Sequence, residues 1–340
     1  MTTVERTRFY QVGSWAAGNR LLDPAQASVQ ADPGRANAIT SGHRACQGCG
    51  EALAARWVLD TALRVTGGNL VVVNATGCLE VFSTPYPESS WQVAWLHSLF
   101  GNAPAVAGGV AAALSAQGRD DVRVVAQAGD GGTVDIGMGC LSGMFERGDD
   151  VLFVCYDNGG YMNTGIQRSA ATPAYARTAT TPIAGTATGN RSGQGKDMAR
   201  IAMAHRIPYV ATATVADLRD LETKVRTAMG LRGARYLHVL VPCPLGWGTP
   251  SCDTLRIARL ATQCGLFPVF EAVDGVVTAV TPIRHRADVR EYLKAQGRYR
   301  HLFEPRPRTD LIEAIEAQAR RTIDEFGLLA ADQTEEARTP

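Results

Sequence analysis

VRVVAQAGDGGTVDIGMGCLSGMFERGDDVLFVCYDNGGYMNT, residues 122–164, decides the fold of this chain. Val122 to Ala128 is an apolar run of strand length, and Gly129-Asp130-Gly131-Gly132 breaks it. Thr133 to Phe145 is rich in small residues and long enough for a helix. Val151 to Tyr156 is a second apolar run, broken in turn by Asp157-Asn158-Gly159-Gly160. Strand, helix and strand, with a glycine-rich loop after each strand, make a βαβ unit. Parallel sheets place ligands at such loops. The expected fold is α/β, a mostly parallel sheet flanked by helices.

Asp130 stands where a strand ends and a helix begins, beside glycines that let a phosphate approach the backbone. Asn158 follows 28 positions later (158 − 130), at the end of the next strand. A carboxylate, an amide oxygen and a nearby carbonyl suit an octahedral Mg²⁺ that also takes diphosphate oxygens. GDG followed just under thirty residues later by Asn resembles the thiamine diphosphate fingerprint. The plainer reading is a glycine turn in which Asp130 caps a helix, with Asp157-Asn158 opening a second turn. No Lys-Ser or Lys-Thr follows the glycines, which excludes a Walker P-loop. A dinucleotide fingerprint fits poorly, because its phosphate-wrapping turn has no use for a carboxylate at Asp130.

The 340 residues suffice for one large α/β domain or two small ones. The chain is 45% hydrophobic and 20% charged, so it can bury a large core. The formal net charge is +1 without blocks of like charge, which gives no support for nucleic-acid or membrane-surface binding. No apolar run approaches about 18 residues. MTTVERTRFYQVGSWAAG, residues 1–18, lacks a basic region followed by an apolar stretch, so a cytoplasmic protein is expected. Eight cysteines in such a chain argue for metal or redox chemistry rather than disulfides.

Four cysteines occupy suggestive places. Cys46-x-x-Cys49 precedes an amphipathic segment, Glu51 to Val65, that reads as a helix. Cys78 follows the apolar strand Leu70 to Asn74, and Cys243 follows the strand Tyr236 to Val241 between two prolines. The set suits a four-thiolate iron–sulfur cluster. Zinc usually takes two CxxC knuckles, and the Cys78 and Cys243 regions supply none. A redox-active CxxC would leave Cys78 and Cys243 idle. Cys252 and Cys264 are the rivals to Cys243 as fourth ligand. Cys140 and Cys155 read as small buried hydrophobes.

The remaining chain divides by pattern. Residues 1–41 show little periodicity and read as an N-terminal arm. Residues 42–265 carry the thiamine diphosphate and cluster motifs. Within them, 165–196 is rich in Gly, Ala, Thr and Ser. That stretch is either a flexible surface connection or an ordered loop closing over the cofactor. Ala199 to Ala204 and Asp217 to Met229 read as helices around a strand, Tyr209 to Thr212. In residues 266–329, Asp274-Gly275 signals a hairpin within Phe270 to Thr278. Ala287 to Gln296 and Thr309 to Phe326 read as helices. This C-terminal part is taken as an appendage that helps assembly. The tail, 330–340, is expected to be disordered.

CQGCGEAL, NATGCLEVF, TPYPESSW, HSLFGNAPAVAGGV, the GDG region, YMNTGIQ and HVLVPCPLGW occur in this order. Together they resemble the β subunit of pyruvate:ferredoxin oxidoreductase, or pyruvate synthase, in the 2-oxoacid:ferredoxin oxidoreductase family. The resemblance runs from about Gly42 to about Leu329. The arm before Gly42 is longer than the family requires, and Asn158 stands where the family also accommodates Thr.

The resemblance implies reversible, coenzyme A-dependent oxidative decarboxylation of a 2-oxo acid. It implies thiamine diphosphate, Mg²⁺ and one [4Fe-4S] cluster. Asp130, Asn158 and the Gly160 carbonyl would hold Mg²⁺, with Gly129 and Gly131 against the diphosphate. Thr76, Gly77, Phe100 and Asn102 would line the cofactor pocket. Asn163 would face the reacting carbon, or else serve as a turn residue. Cys46, Cys49, Cys78 and Cys243 would hold the cluster, passing electrons singly to ferredoxin or flavodoxin.

The carboxylate that activates the aminopyrimidine has only Glu51, Glu80 and Glu88 as candidates in this chain. The family places that glutamate and a substrate-binding arginine on another subunit. The expected assembly therefore adds a pyrimidine-side subunit, a coenzyme A-binding one and a ferredoxin-like one. His43 and His97 read as structural. Two other functions stay open. One is an oxidoreductase for 2-oxoglutarate, a branched-chain 2-oxo acid or oxalate. The other is an electron-transfer subunit whose thiamine fold has lost its ligand.

Overall fold

The computed structural model describes residues 37–40, 42–84 and 89–329. In chain order these form α1 (Gly50–Thr66), β1 (Leu70–Ala75), α2 (Cys78–Ser83), β2 (Ala94–Ser98), α3 (Ala103–Ala116), β3 (Arg123–Gly129), α4 (Met138–Arg147) and β4 (Val151–Asp157). There follow α5 (Met198–Ala204), β5 (Tyr209–Thr214), α6 (Leu218–Gly230), β6 (Arg235–Leu240), α7 (Pro244–Trp247), α8 (Thr254–Gln263), β7 (Phe270–Val273), β8 (Val276–Val280), α9 (Val289–Lys294) and α10 (Thr309–Phe326).

The strands make an eight-stranded sheet in the order β2-β1-β3-β4-β6-β5-β7-β8. All pairs up to β5 are parallel, while β7 and β8 continue the sheet antiparallel. The inner strands are buried almost end to end, which is why they read as continuous apolar runs rather than alternating ones. On one face α1 and α6 pack through Val58, Leu59, Leu221 and Val225. On the other, α3, α4 and α5 pack through Ala107, Leu141, Phe145 and Ala202. Each such large aliphatic side chain contributes about 1.5–3 kcal/mol by leaving water.

The order fixes where a site can form. β1, β3, β4 and β6 are neighbours and run the same way, so their C-terminal loops meet along one edge of the sheet. Those loops carry Thr76 to Cys78, Asp130, Asn158 and Cys243. The chain leaves β1 toward β2 on one side and leaves β3 toward β4 on the other, which opens between β1 and β3 the crevice that α/β sheets use for ligands.

One expectation needs correction, and one open alternative is decided. Thr133 to Phe145 is not one regular helix. Gly131–Asp135 makes a π-helical turn before α4 starts. A side chain on Gly137 would lie 1.9 Å from the Gly132 carbonyl oxygen, so the wide turn depends on glycine there. Residues 165–196 are no loose connection but an ordered strap. Thr172 Oγ1 donates to the Gly159 carbonyl at 2.8 Å, Asn190 Nδ2 to the Thr172 carbonyl at 2.7 Å, and Lys196 Nζ to the Val134 carbonyl at 2.6 Å.

The C-terminal residues build onto the same sheet. Asp274 and Gly275 both take positive φ, 50° and 82°, and turn β7 into β8. α8, α9 and α10 share a third core around Trp247, Tyr299 and Ile315. Of the expected arm, residues 37–40 are described. Ile39 bridges Trp91, and the Ala38 N–H donates to Asp60 Oδ1 at 2.7 Å. The rest of the arm, the tail and Glu88 lie outside the described residues.

Candidate active site

Two of the four converging loops present oxygen. The Asp130 side chain is 0% exposed and Asn158 is 5% exposed. Asp130 Oδ2 accepts a bond from Ser169 Oγ, whereas Asp130 Oδ1 is buried with no partner. Burial, and then the charge of Asp157, pushes the Asp130 carboxyl well above its usual range. The Asn158 backbone N–H acts on the same carboxyl and offsets part of that push. Asn158 Nδ2 donates to Glu51 Oε2 at 3.3 Å, and its carbonyl accepts from Trp247 Nε1 at 2.6 Å. Asn158 Oδ1 is likewise buried and unpartnered. Buried acceptors without donors are costly, and a cation held by both oxygens would satisfy them. The donor set therefore fits Mg²⁺.

Above this pair lies a narrow cleft. Thr76, Gly77, Phe100, Gly129, Gly131, Asn158, Gly160 and Asn163 line it together. Two of the expected residues do not. Asp130 is sealed below, and Asn102 sits exposed at the N-terminus of α3 without capping it by its side chain. The glycine at 131 has a packing reason. A side chain there would lie 2.3 Å from the Tyr161 ring. Tyr161 in turn donates to Asp135 Oδ2 at 3.1 Å, where the Ala170 N–H also donates at 2.9 Å.

Cysteines occupy the other two loops and the CxxC. All eight cysteines are free. Cys49 caps α1, its sulfur accepting from the Ala52 N–H at 3.4 Å. Cys243 caps α7, accepting from the Gly246 N–H at 3.3 Å. Cys78 opens α2. The CxxC is pressed onto the Cys243 loop, since a side chain on Gly50 would lie 2.9 Å from the Pro242 carbonyl oxygen. Burial, and then Glu51, pushes the Cys49 thiol up to about 12. The same causes raise Cys78, which also feels Cys243, Cys49 and Cys46. Burial raises Cys243 too, and Cys46 acts on it. The four sulfurs thus share one electrostatic neighbourhood. Among the described residues, no three His, Cys, Asp or Glu side chains stand close enough to hold a single metal ion. Cys252 is exposed, and Cys264 is buried in the third core.

Glu51 is the residue that sequence reasoning undervalued. It does open α1, but it is also 3% exposed, lines the cleft and holds Asn158. Burial pushes its carboxyl up to about 7, with the Asn158 bond pulling the other way. Its adjacency to Cys49 was the available signal. Ser169 and Trp247 have no local signature. His97 is exposed and bonds Thr76 Oγ1 at 2.8 Å, while His43 stands edge-on to Phe82.

Known proteins match this chain. The family model for the thiamine pyrophosphate enzyme C-terminal TPP binding domain matches residues 75–239. Pyruvate synthase subunit PorB of Methanosarcina barkeri is 50% identical over 291 residues, 85% of this chain and 97% of that one. The chain belongs to the pyruvate synthase PorB subunit family. A second PorB, from Methanocaldococcus jannaschii, is 48% identical over 77% of this chain and 88% of its own. Ketoisovalerate oxidoreductase subunit VorB of Pyrococcus abyssi is 40% identical over 77% of this chain and 85% of its own. In fold, the chain is similar to 2-oxoglutarate:ferredoxin oxidoreductase from Magnetococcus marinus. The TM-score is 0.53 at 18% identity, covering 89% of this chain and 94% of that one. The matched thiamine pyrophosphate domain takes in Cys78 but ends before Cys243 and starts after the CxxC. In this PorB-family chain, three of the four grouped cysteines therefore flank the cofactor domain.

Proposed function

We propose that the chain is the thiamine diphosphate-binding subunit of a pyruvate synthase. The reaction converts pyruvate and coenzyme A to acetyl-CoA, CO₂ and a proton, and it is reversible. Two electrons leave singly, through a [4Fe-4S] cluster, to ferredoxin or flavodoxin. The pair of buried, unpartnered oxygens on Asp130 and Asn158 carries this reading.

Bound thiamine diphosphate would supply the carbon nucleophile and the electron sink that decarboxylation needs. This chain's residues bind and orient. Asp130 and Asn158, with the Gly160 carbonyl, would hold the Mg²⁺ that ties the diphosphate to the protein. Gly77 and Gly129 leave their backbone open to phosphate oxygens. Thr76 and Phe100 would wall the ring, and Asn163, exposed at the cleft, would reach the substrate oxygen. Cys46, Cys49, Cys78 and Cys243 would hold the cluster. Four thiolates gathered here repel one another unless a cationic group sits between them. The backbone N–H groups that bond Cys49 and Cys243 at their helix starts offset part of the burial that raises these thiols.

The activating glutamate is expected from a pyrimidine-side subunit, beside coenzyme A-binding and ferredoxin-like subunits. The Glu51 carboxylate is engaged by Asn158, and Glu80 accepts from Thr84 at 3.0 Å. Residues 266–329 would serve assembly. Among the described residues no helix is long and apolar enough to cross a membrane. Free cysteines throughout favour a cytoplasmic setting.

The test is a substrate panel on the purified complex. Pyruvate, 2-oxoisovalerate, 2-oxoglutarate and oxalate are assayed with coenzyme A and a viologen acceptor. Pyruvate is expected to give the highest kcat/KM. Preference for 2-oxoisovalerate would favour the second reading, which the 40% identity to a VorB subunit motivates. Silence with every acid would leave an electron-transfer subunit.

A further inference from the structure

Asn158 is clamped from two sides, and both clamps come from helices that cysteines cap. Trp247, at the end of the short helix that Cys243 caps, donates Nε1 to the Asn158 carbonyl at 2.6 Å. This fixes the backbone of the residue. Glu51, two positions after Cys49, accepts from Asn158 Nδ2 at 3.3 Å. This fixes the side chain. With the backbone held, the amide keeps two orientations, related by a half turn that exchanges its oxygen and its nitrogen. One turns the N–H₂ group to Glu51 and leaves Oδ1 free, and the other turns Oδ1 to Glu51 and leaves the N–H₂ group free.

The choice follows from the chemistry of Glu51. In the bond as it stands Glu51 Oε2 accepts, so Glu51 faces the N–H₂ side of the amide. The flipped amide would set two acceptors against each other in a buried place. The selected orientation leaves Asn158 Oδ1 buried and unpartnered, as Asp130 Oδ1 is.

We propose that Glu51 is a positioning residue for the cation site. By holding the Asn158 amide nitrogen, it keeps the Asn158 oxygen turned toward the metal. The inference rests on the reading of Asp130 and Asn158 as Mg²⁺ ligands.

A double-mutant cycle in the assembled complex tests it, with Mn²⁺ plus thiamine diphosphate as the probe. Binding is followed by calorimetry and by the paramagnetic signal of free Mn²⁺. Glu51→Gln keeps the side-chain size but can donate as well as accept, so it no longer selects one amide orientation. It is expected to weaken Mn²⁺ binding about tenfold, the scale of one hydrogen bond to a charged group. In an Asn158→Asp background both outer atoms are oxygens and orientation is moot. There Glu51→Gln removes a like charge and supplies a donor, so it is expected to tighten binding. This reversal of sign is the readout that a loosened fold does not produce.

Unchanged affinity in Glu51→Gln, or an equal loss in both backgrounds, overturns the proposal. Asp130→Asn separates the two levels. If it abolishes Mn²⁺ binding while Glu51→Gln changes nothing, the positioning role fails alone. If Asp130→Asn leaves binding intact, the cation reading fails and takes this inference with it.

Discussion

Ser169 Oγ donates a hydrogen bond to Asp130 Oδ2, so a residue 39 positions away in the chain is anchored on the buried carboxyl of the cofactor loop. The strap and the Asp130 loop are thereby one unit. Whatever changes the charge at Asp130 is felt in residues 165–172.

Ser169→Ala should loosen that unit. The carboxylate loses its one side-chain donor, and the Ala171 N–H loses its bond to Ser169 Oγ at 3.1 Å. A bond to a charged group contributes about 1.5–3 kcal/mol. Mn²⁺ affinity with thiamine diphosphate is expected to fall about tenfold or more. Amide exchange should quicken across 165–172 and stay unchanged in β3. Mass-spectrometric exchange on wild type and variant checks both.

Asp130→Asn should have opposite effects on the two states of the protein. The stripped protein no longer buries an ionisable carboxyl with one unpartnered oxygen, so its Tm is expected to rise by about 2 °C. The added stability that Mg²⁺ and thiamine diphosphate give wild type should vanish. Thermal unfolding with and without both ligands is the measurement. A ligand-induced Tm shift equal to that of wild type would contradict the assignment.

Cys243→Ala should remove the cluster, whereas Cys252→Ala should retain it. Cys243 acts electrostatically on Cys49 and Cys78, and Cys252 is turned outward near Arg256. Iron and sulfide analysis with visible absorption decides the matter. Full iron content in the first variant and loss in the second would make Cys252 the fourth ligand.

Asp150 supports a prediction far from the cofactor. It holds the fully buried Arg235 at 2.6 Å and Arg232 at 2.8 Å, with Arg123 at 3.5 Å. Burial alone would raise the Asp150 carboxyl, but Arg232, Arg235 and Arg123 together hold it below its usual range. Its stabilisation is therefore complete above an ordinary carboxyl pKa of 3.8 and is lost as pH falls through the lower folded value. Asp150→Ala leaves Arg235 charged and unmatched and should cost about 3–5 kcal/mol. Urea unfolding of the variant should show this deficit at neutral pH, shrinking as the pH falls below that of the native carboxyl.

The parallel core was legible because buried parallel strands are unbroken apolar runs. Val151 to Tyr156 and Leu70 to Asn74 could hardly be anything else. The edge strand β2 was not legible, since Trp95 and His97 stack along its outer side and no apolar run marks it. Helix α3 is Ala- and Gly-rich all round and shows no polar face to read. For the site, residues at strand ends were foreseen, since their spacing follows from strand geometry. Glu51, Ser169 and Trp247 were not foreseen as its supports. Their roles depend on contacts across 107, 39 and 89 positions, which no local pattern encodes.

The sheet order also bears on biosynthesis. β6 is made after β5 yet lies between β4 and β5. The last parallel strand must therefore enter an inner slot, and only then is the Cys243 loop brought beside Cys46, Cys49 and Cys78. A chain emerging from the ribosome holds three of these thiols for as long as it takes to add 165 more residues (243 − 78). Such long-range closure is slow and leaves strand edges exposed while it is pending. Any ligand shared by all four thiols is thus a late arrival, installed after the sheet has closed, and an incomplete chain has nowhere to keep it.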